Sequence, residues 1–198
     1  MLIDTKLLLK YGAFTETFAP SEAIFEEGDP PTCYYQIING SVKLNHFGEE
    51  DKELIQSILY DGQSICELLS LTQEKFPVNA VAISATTIIK IPRTHLKRLL
   101  TEHPDVAIDV QQFTAERLYH KFIWMQNNTS KYSKVRISGI LKYFKSLSDD
   151  QSPYSYEVPL TRKQLASITG LRIETVIRTV KKMEAEKLLQ IKNRKIYF

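Results

Sequence analysis

Glu174 and Arg178 stand four residues apart in the run Leu171-Arg-Ile-Glu-Thr-Val-Ile-Arg178, a spacing that puts both side chains on one face of a helix. An arginine fork matches the O6 and N7 acceptors of guanine, and a carboxylate accepts from the N4 amino group of cytosine. Together on an exposed helix the two groups could read one C·G pair in a DNA major groove. In any other setting the same spacing is a solvated ion pair worth about 0.2–0.5 kcal/mol. The surrounding sequence decides between the two.

That sequence predicts two short helices with a tight turn. Thr161 followed by Gln164 is a capping-box start, and Leu165 and Ile168 give the first helix an apolar face. Gly170 stands where the chain must leave it. The second helix carries Val176, Val180 and Met183 inward at steps of four and three, which leaves Arg172, Ile173, Glu174 and Arg178 outside. A helix-turn-helix offers such an N-terminal face to the major groove. Leu188-Leu-Gln-Ile191 and Lys195-Ile-Tyr-Phe198 predict a hairpin around Asn193, whose Lys192, Arg194 and Lys195 suit phosphate contact. Thr161, Arg162 and Thr175 are expected to add further phosphate contacts. Upstream, Lys134 to Leu147 reads as a helix with Val135, Ile140, Leu141 and Phe144 inward. A loop over 148–153 and a strand over Tyr154–Val158 follow it.

Charge is distributed to match. The net charge is +3 over 198 residues, yet from Leu160 onward ten Lys/Arg face three acids, so that segment is +7 and the first 159 residues are −4. A basic end on an acidic body is the electrostatic footprint of a nucleic-acid contact. Two cysteines, Cys33 and Cys66, make neither a disulfide framework nor a four-thiolate cluster. His46, His95, His103 and His120 lack metal-ligand spacing, so no metal and no cofactor is expected, and a cupin-like enzyme, which would need a His cluster, is disfavoured. The opening Met1-Leu-Ile-Asp-Thr-Lys is charged too early for a signal peptide, and no segment is apolar enough to cross a bilayer. A cytoplasmic protein with reduced thiols is expected.

Residues 5–12 read as a short helix stopped by Gly12. From Phe18 to about Pro92 the pattern changes to short β segments: Ala23–Phe25, Tyr34–Ile38, Ser41–Phe47, Glu53–Tyr60, Val78–Ile83 and Thr86–Ile91. Strands at such intervals predict a sandwich or barrel, with Asn39-Gly40 and Asp61-Gly62 as turn signals. Arg93 to Leu100 reads as a short helix, and Pro104 opens a long one. Along it Val106, Val110, Phe113, Leu118, Phe122 and Met125 form an apolar stripe, with Ile108, Ala115, Tyr119 and Ile123 off it. A helix apolar on more than one side must be covered on more than one side. Asn127 to Tyr132 is a polar break and the expected hinge.

The run Leu160-Thr-Arg-Lys-Gln-Leu-Ala…Gly170-Leu…Glu174-Thr-Val-x-Arg178-Thr resembles the winged helix-turn-helix of Crp/Fnr bacterial transcription regulators. The patterns Pro20-Ser-Glu-Ala-Ile-Phe-Glu-Glu-Gly28-Asp, Tyr34 to Val42 and Gly62-Gln-Ser-Ile-Cys-Glu67-Leu resemble the cyclic-nucleotide-binding-type β-roll of that family. The resemblance implies that Glu174 and Arg178 read a C·G pair. It also implies that the long helix packs on the β-roll by one side and on the same helix of a second subunit by another. Two departures stand out: Arg172 replaces the usual Ser or Thr, which weakens the helix N-cap, and Ile173 replaces a frequent Arg, which changes one base contact. An altered half-site preference follows.

Cyclic-AMP-binding members hold the ribose with a Glu and the phosphate with an Arg-Ser/Thr-Ala run. Glu67 matches the first, but the second reads Val78-Asn79-Ala80, and no arginine lies between Gln73 and Pro92. Lys75 is the nearby cation. A buried phosphate without a cation costs several kcal/mol, so Glu67, Lys75, Val78 and Asn79 are expected to line a pocket for another ligand or none. Glu67 would then serve as a strand-end carboxylate capping backbone N–H groups.

The expected fold is α+β: an antiparallel, jelly-roll-like β-roll sensor over 1–102, a dimerisation helix and hinge over 103–128, and a winged helix-turn-helix over 129–198. The expected partners are double-stranded DNA bearing a palindromic operator, a second copy of the chain and, as a candidate, RNA polymerase; the small-molecule effector is unidentified. The competing expectation is a ligand-binding or scaffolding module whose basic end meets an acidic protein.

Overall fold

Local signals start the chain. The Asp4 carboxylate accepts from the Leu7 N–H at 3.0 Å, and helix α1 runs Thr5–Lys10 before Gly12 turns the backbone at φ +85°. The structure, a computed structural model, describes residues 2–48, 52–72, 74–146, 148 and 150–198. The chain divides into two compact units, up to Glu116 and from Arg117 onward.

In the first unit eight strands form two antiparallel sheets. Strands β1 (Phe14–Phe18), β2 (Ala23–Phe25), β3 (Cys33–Asn39), β4 (Ser41–Phe47), β5 (Glu53–Tyr60), β6 (Ser64–Ile65), β7 (Asn79–Ala82) and β8 (Thr86–Pro92) are ordered β1-β8-β3-β6 and β2-β7-β4-β5. Most successive strands lie in opposite sheets, which is the expected jelly-roll-like β-roll. Between the sheets lie Phe18, Phe25, Ile37, Val42, Leu59, Phe76 and Ile88, all buried. The outer face of the β3/β8 sheet is buried too. Tyr34, Ile89 and Ile91 form a second core with Leu8, with Leu96 and Leu99 of α2 (Arg93–Glu102), and with Val110 of α3 (Pro104–Asn128). Alternation along β8 sends Ile88 to one core and Ile89 and Ile91 to the other.

Gln36 lies in that second layer, fully buried. Its side-chain amide pairs with the backbone of Ile3 like a strand neighbour: Ile3 N–H donates to Oε1 at 2.9 Å, and Nε2 donates to the Ile3 carbonyl at 2.9 Å. The Tyr34 hydroxyl also donates to Oε1, at 2.8 Å.

The second unit holds α4 (Ser133–Ser146), α5 (Arg162–Thr169), α6 (Ile173–Ala185) and a three-stranded antiparallel sheet ordered β10-β11-β9, from Gln190–Lys192, Lys195–Tyr197 and Glu157–Val158. Helix α4 packs on α5 and α6. Gly139 permits a close approach, since a Cβ there would lie 2.7 Å from the Asn127 side chain. The break after α3 is tied down within this unit: Asn128 Nδ2 donates to the Ile168 carbonyl, and Arg136 donates to the carbonyls of Ser130 and Thr169.

Several expectations shift. Strand β1 was not anticipated, because four of its five residues are exposed and show no alternation. Val135 is 41% exposed, and Ile137 takes its inward place with Ile140, Leu141 and Phe144. The strand expected over Tyr154–Val158 shrinks to Glu157–Val158, because Tyr154 sits at φ +61° after Pro153. Of the two turn pairs, Gly40 and Gly62 alone take positive φ, and the Gly40 N–H donates to Asp61 Oδ1 at 2.7 Å. The expected end of the α4 segment, Leu147, and Asp149 of the next loop lie outside the described residues.

Gln36→Leu removes the side-chain partner of the Ile3 N–H and of the Ile3 carbonyl, and one acceptor of the Tyr34 hydroxyl, in an apolar layer. Each unsatisfied buried group costs about 1–3 kcal/mol, so urea unfolding of the first unit should show a loss of at least about 2 kcal/mol with little change in slope.

Candidate nucleic-acid interface

The two helices of the motif are set by local chemistry. Thr161 caps α5: the Gln164 N–H donates to Thr161 Oγ1 at 3.1 Å, and the Thr161 N–H donates back to Gln164 Oε1 at 2.8 Å. Gly170 ends α5 in the left-handed region at φ +64°. Nothing but Arg136 Nη1, 4.0 Å away, would meet a Cβ there, so the glycine answers a backbone need and not a spatial one. At the start of α6, Arg172 occupies the N-cap and makes no side-chain cap bond, as its departure from Ser or Thr implies.

Helix α6 buries Val176, Thr179, Val180 and Met183, and Thr179 shares a 2.9 Å hydroxyl contact with Ser133 of α4. Glu174 and Arg178 stand on the opposite face, Ile177 on its flank, and Arg172 and Ile173 at the start of the helix, all exposed, with Thr175 half-buried beside them. The carboxylate of Glu174 and the guanidinium of Arg178 make no ion pair or hydrogen bond with another described residue. Their acceptors and donors are therefore uncommitted, although the spacing would permit a pair. Ile177, 41% exposed, was missed in the sequence because an isoleucine within a helix reads as core; its signal is the step of four from Ile173.

The residues expected at phosphates differ in state. Thr161 is exposed, but its hydroxyl serves the cap. Arg162 is half-buried; burial pulls its guanidinium below the ordinary value, and Glu184 opposes that. The hairpin turns at Asn193 and Arg194, both at positive φ (49° and 65°), the conformation a two-residue strand connection requires. Lys192 and Arg194 are exposed there, the Lys192 ammonium 5.5 Å from the Tyr197 ring centre. Lys195 is paired with Glu157 of β9, which also accepts from the Tyr197 hydroxyl at 2.7 Å. Those two donors hold the Glu157 carboxyl below the usual carboxylate range. Of the three wing cations, Lys195 has its charge already answered inside the sheet.

Two family models match the chain: the cyclic nucleotide-binding domain over residues 15–103 and the Crp-like helix-turn-helix domain over residues 135–198. The chain belongs to the Crp/Fnr family. Similar solved structures include CLP of Xanthomonas campestris, described as a c-di-GMP responsive global regulator, at 19% identity and a TM-score of 0.77 over 98% of this chain and 99% of that one. A CooA variant from Carboxydothermus hydrogenoformans is 15% identical with a TM-score of 0.81, over 96% of this chain and 85% of that one. Among curated proteins, lysophospholipase nte1 of Aspergillus niger is 31% identical over 97 residues, 49% of this chain. This chain spans only 6% of that relative's length.

Within the Crp/Fnr β-roll, the residues expected around a ligand are scattered in role. Glu67 is buried and accepts from the Ser64 hydroxyl at 2.9 Å, while the Ser70 hydroxyl donates to its carbonyl at 2.6 Å. Val78 is part of the core, 3% exposed, and Lys75 is exposed. Asn79 spans two backbones: its Oδ1 accepts from the Glu27 N–H at 2.9 Å and its Nδ2 donates to the Asn45 carbonyl at 3.3 Å. In the core that holds Val78 lie aromatic rings, with Phe25 stacked on Phe76 at 3.7 Å and Tyr35 tilted against Phe25 and edge-on to Phe76. Burial, with Cys33 adding to it, pushes the Tyr35 phenol up to about 12.

The long helix divides its expected stripe. Val110 is in the second core of the first unit and Val106 packs against it, so these two are committed within the chain. Phe113 is half-buried, whereas Leu118, Phe122 and Met125 are exposed, as are Tyr119 and Ile123 off the stripe. No helix of the described residues is long and apolar enough to cross a membrane.

Thr161→Ala deletes one half of the capping box and should cost the second unit about 1 kcal/mol in thermal unfolding. Thr161→Asp, which keeps an acceptor for the Gln164 N–H, should restore most of it.

Proposed function

We propose that the protein is a sequence-specific DNA-binding transcription regulator that acts as a homodimer on a palindromic operator in the cytoplasm. The observation that carries this reading is the outer face of α6, where Glu174 and Arg178 stand exposed and uncommitted while Val176, Val180 and Met183 anchor the helix from behind. In this reading residues 1–102 are the sensor, 103–128 the dimerisation helix and hinge, and 129–198 the DNA-binding domain. Arg178 accepts the task of reading guanine and Glu174 that of reading cytosine, with Arg172 and Ile173 beside them. Thr161, Arg162, Thr175, Lys192 and Arg194 contact phosphates, and Lys195 does so only if it leaves Glu157. The exposed Leu118, Phe122 and Met125 supply the surface for a second subunit, since contiguous apolar surface on a soluble chain marks an interface. RNA polymerase is the further partner of a regulator of this kind.

Selection of random DNA duplexes on the protein, read by sequencing, tests this. Recovery of a palindrome with half-sites about 34 Å apart is expected. Salt-sensitive binding without a motif would instead support a basic module that meets an acidic partner. Arg178→Ala should cost about 1–3 kcal/mol in operator binding and relax preference at one G·C pair, whereas Lys192→Ala should weaken all sequences alike and flatten the salt slope by about one unit.

Cyclic AMP is not the effector in this reading. Val78 and Asn79 stand where a phosphate would need a cation, and a desolvated phosphate without one costs several kcal/mol. Titration calorimetry with cyclic AMP and cyclic GMP should show no binding at micromolar concentrations; a micromolar Kd for either would overturn this assignment.

A further inference from the structure

We infer that Ile173 and Ile177 recognise thymine by its C5-methyl group, so that each half-site contains thymines beside the G·C pair read by Arg178. This rests on the DNA-binding reading above. Both isoleucines are exposed, 38% and 41%, on a helix whose inner face is already filled by Val176, Val180 and Met183. At roughly 100° per residue, Ile177 lies about 40° around the helix from Ile173, and Arg178 lies about 40° from Glu174. The face is thus two adjacent rows, one apolar and one charged, side by side over the first two turns of α6. Lys181, exposed, follows Ile177 on the apolar row one turn later.

An isoleucine can neither donate nor accept a hydrogen bond, so it cannot read the amino, carbonyl or ring-nitrogen groups of a base edge. The thymine methyl is the apolar group that the major groove displays. The occupant of the row is taken to be DNA and not an apolar protein surface, because the row is continuous with an uncommitted carboxylate and guanidinium and lies in a segment of charge +7. A protein partner seated on Ile173 and Ile177 would also bury Glu174 and Arg178, and it would have to answer both charges.

The test uses the full chain and the operator recovered by selection. Each thymine is replaced singly by deoxyuridine, which removes the methyl and leaves every hydrogen-bonding group in place, and affinity is read by fluorescence anisotropy at fixed salt. At one or two positions per half-site the substitution should weaken binding about fourfold, the equivalent of about 0.8 kcal/mol for one buried carbon. Ile177→Ala should lose the penalty at one of those positions, and Arg178→Ala should keep it. Uracil tolerated at every position within about 1.5-fold, or a penalty that survives in both Ile173→Ala and Ile177→Ala, would overturn the methyl reading and leave the DNA-binding reading intact. If no palindrome is recovered, both readings fall together. Should a variant prove unfolded by circular dichroism, the uracil scan on the parent protein decides alone.

Discussion

Helix α6 has to hide one side, and the rest of the second unit is arranged around that need. Val176, Val180 and Met183 recur at steps of four and three and are all at most 1% exposed. Helices α4 and α5 are the surfaces that cover them. Because 3.6 residues complete a turn, burying that stripe turns Glu174 and Arg178 to the opposite face and leaves Ile177 on its flank, while Ile173 is exposed as the first residue of the helix. The capping box at Thr161 and the left-handed Gly170 matter chiefly because they deliver α6 at the angle where this burial is possible. The proposed base reading would thus be a consequence of core packing on the far side of the same helix.

A comparable constraint acts in the first unit. Strands β3 and β8 are covered on both faces, by the β-roll interior on one side and by α1, α2 and the start of α3 on the other. A sheet buried on both faces leaves no room for an unanswered polar group, and Gln36 is tolerated there because Ile3 and Tyr34 satisfy it. Inside the roll the stacked Phe25 and Phe76, with Tyr35 and Val78, occupy space with apolar groups. Glu67 and Asn79 both spend hydrogen bonds on the protein itself. An anionic ligand would meet amide and aliphatic groups in place of a cation, and this supports the proposal that cyclic AMP is not the effector.

What could be read from the chain was what is encoded within a few residues. The capping box, the turn at Gly170, the hairpin at Asn193 and the periods of α3 and α6 each involve neighbours at most a turn or two away, and each formed where expected. Strand β1 was illegible because its residues are mostly exposed and it exists by pairing with β8, some seventy residues away. Val135 and Ile137 are equally apolar in the sequence; which one turns inward depends on where α5 and α6 lie. Lys195 looked like its neighbours Lys192 and Arg194 until β9 brought Glu157 against it.

The sequence by itself determined the order of elements, the basic end, and the pair of residue types whose chemistry fits a C·G pair, because periodicity, capping and charge are properties of short stretches. The tertiary structure alone decided which of those side chains are unoccupied. Among the described residues none pairs with Glu174 or Arg178, Lys195 is paired because β9 brings Glu157 against it, and Ile177 stays exposed beside a stripe that is itself buried. Availability of a side chain depends on groups distant in the sequence, and only folding brings those groups together.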